Sequence, residues 1–303
     1  LNEPNVGCYF FWVYSCPMTA LPLVRTFTDN EGIDITFYEW PVAKSKGVVQ
    51  LVHGLGEHAR RYDHVAAAFN RAGYSVYADD HRGHGQTGVN MRASGAIKRQ
   101  GQLGAGGMNA VFADVRQLSH IISGEHPEEP LILFGHSWGS LISQRIWNKY
   151  SDEFDGLILS GSTIALPGIM PSSGFNKRWQ NTVGASGHEW LSRDHEVGHE
   201  FRVDPLNFPE SALEVFGVAN AARLLGTPSK NIDAHVPILL IAGSEDALGG
   251  ERGNRMLANA YKKVGVEDLN VIIYHGGRHE MVNETNKDEV LADLVGWLEE
   301  RFG

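Results

Sequence analysis

The chain has 303 residues, 42% of them hydrophobic and 20% charged, with a formal net charge of −10. Those proportions suit a globular protein that buries one sizeable core, and the acidic balance leaves no basic field to attract a nucleic-acid backbone or an anionic membrane surface. No apolar run reaches the ~20 residues that span a bilayer, so stable membrane insertion is not expected.

Residues 1–17 stand outside the pattern that follows. Their apolar stretch, 7–14, is short, has no preceding Lys or Arg and no small-residue cleavage pattern after it, so it does not read as a secretory signal. The segment reads as an upstream or loosely packed arm. Both cysteines, Cys8 and Cys16, fall there. The rest of the chain has neither a disulfide framework nor a thiol for catalysis or metal binding, which fits a reducing, cytoplasmic setting.

Residues 24–27 and 33–38 flank Asn30-Glu31-Gly32 and predict an antiparallel pair at a sheet edge. Further on, the runs 48–52, 74–78, 131–134, 157–159, 238–241 and 271–274 are apolar on both faces. Between them lie helical faces such as Tyr62, Val65, Ala66 and Phe69, or Val290, Leu294 and Leu298. This order predicts an α/β fold, a mostly parallel central sheet covered by helices on both faces. The glycine-rich run 101–107, ahead of a helix near Met108, lacks the lysine of a phosphate-binding loop and follows no strand. Residues 162–234 are too long for one crossover and mix Pro, Gly and apolar residues. They predict an inserted cap on a core of 18–161 and 235–303.

Gly135-His136-Ser137-Trp138-Gly139 sits between the strand 131–134 and a helical pattern at 141–146, the strand–turn–helix setting that a G-x-S-x-G nucleophile elbow requires. A serine hydroxyl needs an imidazole to take its proton and a carboxylate to fix the imidazole's tautomer. In this fold they follow in the order acid, then histidine, on loops after later strands. Gly243-Ser244-Glu245-Asp246 and His275-Gly276-Gly277-Arg278-His279 occupy those places. Asp246 is preferred to Glu245 because it lies farther from the strand end. His279 is preferred to His275 because the Gly276-Gly277 turn frees it to reach inward. Two backbone donors for an oxyanion are expected at Trp138 and at Leu55, in the loop His53-Gly54-Leu55-Gly56-Glu57, with His53 bracing that loop.

These segments resemble the monoacylglycerol lipase and lysophospholipase branch of the α/β hydrolases over residues 22–302. Also matching are His58-Ala59-Arg60-Arg61-Tyr62, Asp80-His81-Arg82-Gly83-His84-Gly85, Leu191-Ser192-Arg193-Asp194, Asp204-Pro205 and Arg278-His279-Glu280. The resemblance implies a cap over an apolar tunnel and hydrolysis of small esters with a single acyl or alkyl chain (monoacylglycerols, lysophospholipids or monoalkyl phthalates), with no metal or organic cofactor. Ser137, Asp246, His279, Leu55 and Trp138 fall on the family's functional positions. In the cap, Ile164, Leu166, Ile169, Met170 and Trp179, with Phe175 and Trp190, are the candidates to line the tunnel. Trp138-Gly139-Ser140 departs from the family's usual Met-Gly-Gly and places a bulkier side chain beside the oxyanion hole. Ala247-Leu248-Gly249-Gly250 after the acid also departs and leaves the alcohol portion open.

Three rival readings remain. His195-Glu196-Val197-Gly198-His199 fits the H-E-x-x-H zinc pattern, with His188 nearby, although Gly198 weakens the helix that pattern needs. A proline-iminopeptidase-like aminopeptidase shares the Trp-Gly-Ser elbow but needs acidic cap residues for the substrate ammonium and normally a proline, absent from 53–57. A non-enzymatic binding module would leave an intact set of catalytic side chains idle.

Overall fold

The computed structural model describes residues 21–167, 169–171, 174–181 and 185–303; the arm expected at 1–17, with both cysteines, lies outside them. Strands β1 (Leu23–Thr28), β2 (Asp34–Trp40), β3 (Gly47–Val52), β4 (Tyr74–Asp79), β5 (Leu131–His136), β6 (Gly156–Ser160), β7 (Ile238–Gly243) and β8 (Leu269–Tyr274) form one sheet in the order β1-β2-β4-β3-β5-β6-β7-β8. The β1–β2 and β2–β4 pairs are antiparallel and the rest parallel. The helices are α1 (Asp63–Ala72), α2 (Gly85–Ala93), α3 (Gly107–Glu125), α4 (Trp138–Tyr150), α5 (His195–Val203), α6 (Ala212–Ala222), α7 (Gly250–Lys263) and α8 (Lys287–Phe302).

Strand alternation divides the core. On β5, Leu131 and Leu133 face α3, α4 and α7 through Leu118, Ile146 and Leu257. Ile132 and Phe134 face α1 and α8 through Val65, Phe69, Leu294 and Leu298. Because both faces are covered, β3, β4, β5, β6 and β7 are buried at every position, which is why their sequences are continuous apolar runs.

The glycine-rich run serves Arg82. This wholly buried guanidinium pairs with Asp29 and with Asp114 (2.7 Å), and donates to the carbonyls of Leu103 (2.9 Å) and Ala105 (2.6 Å). The turns at Gly101, Gly104 and Gly106, all at positive φ, aim those carbonyls inward. Burial raises the Asp114 carboxyl to about 8, despite the opposing pull of Arg82.

The chain between β6 and β7 leaves the sheet and carries α5 and α6 over the carboxyl ends of the strands. It is tied to the sheet by Phe208 N–H donating to Gly56 O (2.9 Å), by Arg193 to Glu284 (2.9 Å), and by Arg278 to the carbonyls of Glu189 (2.6 Å) and Ser192 (2.7 Å).

Leu133→Ala should destabilise the protein by about 2–5 kcal/mol, because it opens a cavity in a strand covered on both faces. The unfolding midpoint in urea measures it, and an unchanged midpoint would contradict the central place given to β5.

Candidate active site

The elbow is built from crowding. Ser137 has φ 53° and ψ −121°, a left-handed backbone that side chains rarely adopt. A Cβ on Gly135 would lie 2.6 Å from Gly139 O, and one on Gly139 would lie 2.0 Å from Val52 O. Only glycine lets β3, β5 and α4 meet this closely, and the turn leaves the Ser137 hydroxyl at the amino end of α4, where backbone N–H groups favour negative charge.

His279 and Asp246 come to this hydroxyl from the loops after β8 and β7. His279 Nε2 is 2.7 Å from Ser137 Oγ, and His279 Nδ1 is 2.8 Å from Asp246 Oδ1. Both partners of the inner pair are buried, at 1% and 7% exposure, so water does not compete for the contact. Asp246 Oδ1 also accepts the Leu248 N–H (2.8 Å). Glu245 turns away to pair with Arg178, and His275 is exposed. Gly243 makes the acid loop possible, since a Cβ there would meet Gly277 O at 2.0 Å.

The loop after β3 completes the arrangement. A Cβ on Gly54 would stand 3.2 Å from Ser137 Cβ, so the loop backbone runs beside the hydroxyl. Neither the Leu55 nor the Trp138 amide donates to another group among the described residues. Glu57 fixes the loop by accepting Gly54 N–H (2.6 Å), Tyr62 OH (2.7 Å) and Arg61 (2.5 Å). His53 lies under it, accepting His81 N–H at Nε2 (3.1 Å), with Nδ1 2.8 Å from Gly54 O. Burial, with His81 and His84 close by, drives its imidazole well below the ordinary pKa, so it is a neutral brace.

Above Ser137 opens a cavity of about 860 Å³ walled largely by apolar side chains of the inserted segment. Leu166 and Met170 line it, as do Phe175 and Trp190. Three candidates do not. Ile164 is buried in the core below, Ile169 packs on that core, and Trp179 stands outside against the Arg278 guanidinium (4.7 Å). The linings that sequence reasoning missed include Phe201, Phe208, Leu224, Leu225, Leu248 and His188. Phe201 and Phe208 flank Asp204-Pro205, and their spacing from that motif was the available signal. The Trp138 indole lines the cavity as a wall, clamped between His84 (4.9 Å) and Phe216 (4.9 Å) with 3% exposure.

The zinc pattern does form a helix, α5, but His195, Glu196 and His199 are exposed on it and His199 faces Arg202 (3.3 Å). Among the described residues no three His, Cys, Asp or Glu side chains gather as a metal-ligand group.

A mostly parallel sheet with a serine on a strand–turn–helix elbow defines an α/β hydrolase. The family described as "Serine aminopeptidase, S33" matches residues 43–286. The chain is 32% identical over 287 residues to a monoacylglycerol lipase of Mycolicibacterium smegmatis, covering 90% of this chain and 96% of that protein. Among solved structures it is similar to a lipase in its open form, at 28% identity and TM-score 0.78, covering 93% of this chain and 99% of that one. It is also similar to a thermostable carboxyl esterase from Bacillus coagulans, at 26% identity and TM-score 0.80, covering 94% and 100%. The chain belongs to the matched family and is a carboxylic-ester hydrolase of the monoacylglycerol lipase-like kind. Among the described residues no helix is long and apolar enough to cross a membrane.

Burial alone would lower the His279 pKa, but the Asp246 carboxylate outweighs it and leaves the imidazole raised above the ordinary value. If His279 is the base that takes a proton from Ser137, it must be neutral, so ester turnover should fall with acidification through that raised pKa. The acid limb of kcat/KM should therefore be centred above about 6.5, and Asp246→Asn should move it down. A wild-type limb below 6.5 would contradict this.

Proposed function

We propose that the protein hydrolyses carboxylic esters bearing one acyl or alkyl chain through an acyl-enzyme on Ser137, with His279 as general base and Asp246 holding its tautomer. The observation that carries this reading is the continuous contact from Asp246 through His279 to Ser137, at 2.8 and 2.7 Å, at the floor of an apolar cavity. Ser137 Oγ attacks the ester carbon as its proton passes to His279 Nε2. The tetrahedral oxyanion is held by the Leu55 and Trp138 amides, which have no other partner among the described residues. On collapse the C–O bond to the alcohol breaks and the imidazolium gives its proton to the departing oxygen. Water, deprotonated by the same nitrogen, then attacks the acyl-enzyme and releases the acid.

In this reading residues 162–234 cap the site and choose the substrate, while the sheet loops perform the chemistry. The sheet-side wall and the inserted wall are both apolar, with Leu141 and Leu248 opposite Leu166, Met170, Leu224 and Leu225. That suits an extended chain and accords with the monoacylglycerol lipases among its relatives. The aminopeptidase alternative asks for cap carboxylates to hold an ammonium. Glu210 and Glu214 both line the cavity, but Glu214 is engaged in capping α6 by accepting Ser211 N–H (2.7 Å), and the lining is otherwise dominated by apolar side chains. Comparing p-nitrophenyl butyrate with prolyl p-nitroanilide decides between the two.

Ser137→Ala should reduce ester turnover to below about a hundredth of wild type, and Asp246→Asn should lower kcat by orders of magnitude, on the scale of ~10⁴. Glu245→Gln, which breaks only the contact to Arg178, should cost far less. Comparable losses from Asp246→Asn and Glu245→Gln would mean that the orienting acid is misassigned.

Each methylene buried in the cavity contributes about 0.8 kcal/mol, or roughly fourfold in binding. A p-nitrophenyl ester series should show kcat/KM rising with acyl length until the cavity is filled. Met170→Trp, which adds bulk to that wall, should move the break to shorter chains. An unshifted break would place the acyl chain elsewhere.

A further inference from the structure

His279 must hand its proton to the departing alcohol, so in the proposed reaction the alcohol portion of the ester lies on the His279 side of Ser137. The wall there is the segment from His188 to Leu191. Its Trp190 ring lies 4.7 Å from the His279 ring, and Trp190 O accepts His279 N–H (3.4 Å). Phe201 adds a second ring, 4.8 Å from His188. All four side chains, His188, Trp190, Phe201 and His279, line the cavity.

Within this otherwise aromatic wall His188 carries the available polar group. Of its two nitrogens Nδ1 is the buried one, on the side of the Ser186 backbone, and Nε2 makes no hydrogen bond among the described residues. Burial keeps the imidazole below its ordinary pKa, so the group is neutral near pH 7.

The segment is also held rigidly. The Glu189 carboxylate collects Asn176 Nδ2 (2.7 Å) and the backbone and hydroxyl of Ser186, donors that outweigh burial and bring its pKa down to about 2. Asn176 Oδ1 accepts Trp190 N–H (2.9 Å), and Ser186 Oγ accepts His188 N–H (3.1 Å). Gly198 of α5 lets the segment lie down on the helix, since a Cβ there would meet Ser186 Oγ at 2.5 Å. The glycine that weakened the zinc pattern thus has a packing role under His188.

We propose that His188 is a specificity-determining residue that reads the alcohol portion of the ester, its Nε2 exchanging a hydrogen bond with a hydroxyl group and favouring alcohols with hydroxyl groups of their own over plain alkyl alcohols. This rests on the ester-hydrolase reading above and assigns the alcohol side of the same site. The test uses esters of one acyl chain with glycerol, ethanol and p-nitrophenol, on wild type, His188→Phe and His188→Gln. Phenylalanine keeps a ring against Phe201 and removes the polar nitrogen; glutamine restores a group that can donate or accept. Wild type should prefer the glyceryl over the ethyl ester. In His188→Phe the ethyl and p-nitrophenyl esters should change by one common factor, while the glyceryl ester loses about five- to tenfold more in kcat/KM, the worth of one hydrogen bond. His188→Gln should recover part of that difference. A glyceryl-to-ethyl ratio that His188→Phe leaves unchanged, or a wild type with no glyceryl preference, would overturn the assignment. Failure of the underlying reading shows separately, as p-nitrophenyl ester turnover that survives Ser137→Ala.

Discussion

The site depends on one steric constraint, the closeness of β3, β5 and the start of α4 around Ser137. A left-handed serine costs on the order of 1–3 kcal/mol and persists only where its surroundings over-determine it. Here Ser137 N–H donates to Ser160 O (3.0 Å), and Ser137 O accepts Ser140 N–H (2.9 Å) and the Ser140 hydroxyl (2.6 Å). Ser140 Oγ also lies 2.8 Å from Ser162 Oγ, which accepts Gln144 Nε2 (3.0 Å). One hydroxyl has one proton, so Ser162 must donate to Ser140, giving a relay that ends on the elbow carbonyl. The Trp-Gly-Ser elbow therefore adds a tie, through Ser140, between the turn and the first residues of the inserted segment.

A second element joins the loops on either side of Ser137. Arg61 lies between Glu57, which fixes the loop carrying Leu55, and Glu280, which follows His279; both carboxylates pair with it, at 2.5 and 2.8 Å. Both carboxylates are buried and Arg61 is largely so, and ions taken from water gain from one another only when the geometry leaves few charges uncompensated. Glu280 answers burial, which would raise its carboxyl, by falling to about 2 under the pull of Arg61. The guanidinium also lies 5.2 Å from the Phe201 ring. The base loop, the loop proposed to hold the oxyanion, and the inserted wall are thus indexed to one side chain.

The inserted segment is anchored and open on opposite sides. Arg193 to Glu284, Arg278 to the Glu189 and Ser192 carbonyls, and His58 to Asp204 (2.9 Å) fasten its stretch nearest His279. On α6, Leu213 and Val218 are exposed although they line the cavity, so the far rim is apolar and free. The wall nearest His279 is thus pinned by polar ties and aromatic but for His188, whereas the far rim is apolar and free, so the two ends of the cavity differ in character.

How much of this was legible in the sequence follows from the range of each interaction. The eight strands, their order along the chain and the elbow are local, because two-faced apolar runs, alternation and glycine spacing report burial and backbone shape directly. For the same reason Asp246 and His279 were legible from their places after β7 and β8, and Glu245 and His275 could be set aside on loop register alone. The cavity lining from the inserted segment was not legible, since a run of apolar residues does not say which side chain faces the core and which the cavity; Ile164 and Leu166, two apart, went to different places when the segment folded back on the sheet. Nor could spacing show that Gly198 seats the Ser186–His188 turn on α5, or that the carbonyls of Leu103 and Ala105 hold Arg82. Those partners are far apart in the chain, and only close packing in three dimensions brings a buried donor to its acceptor.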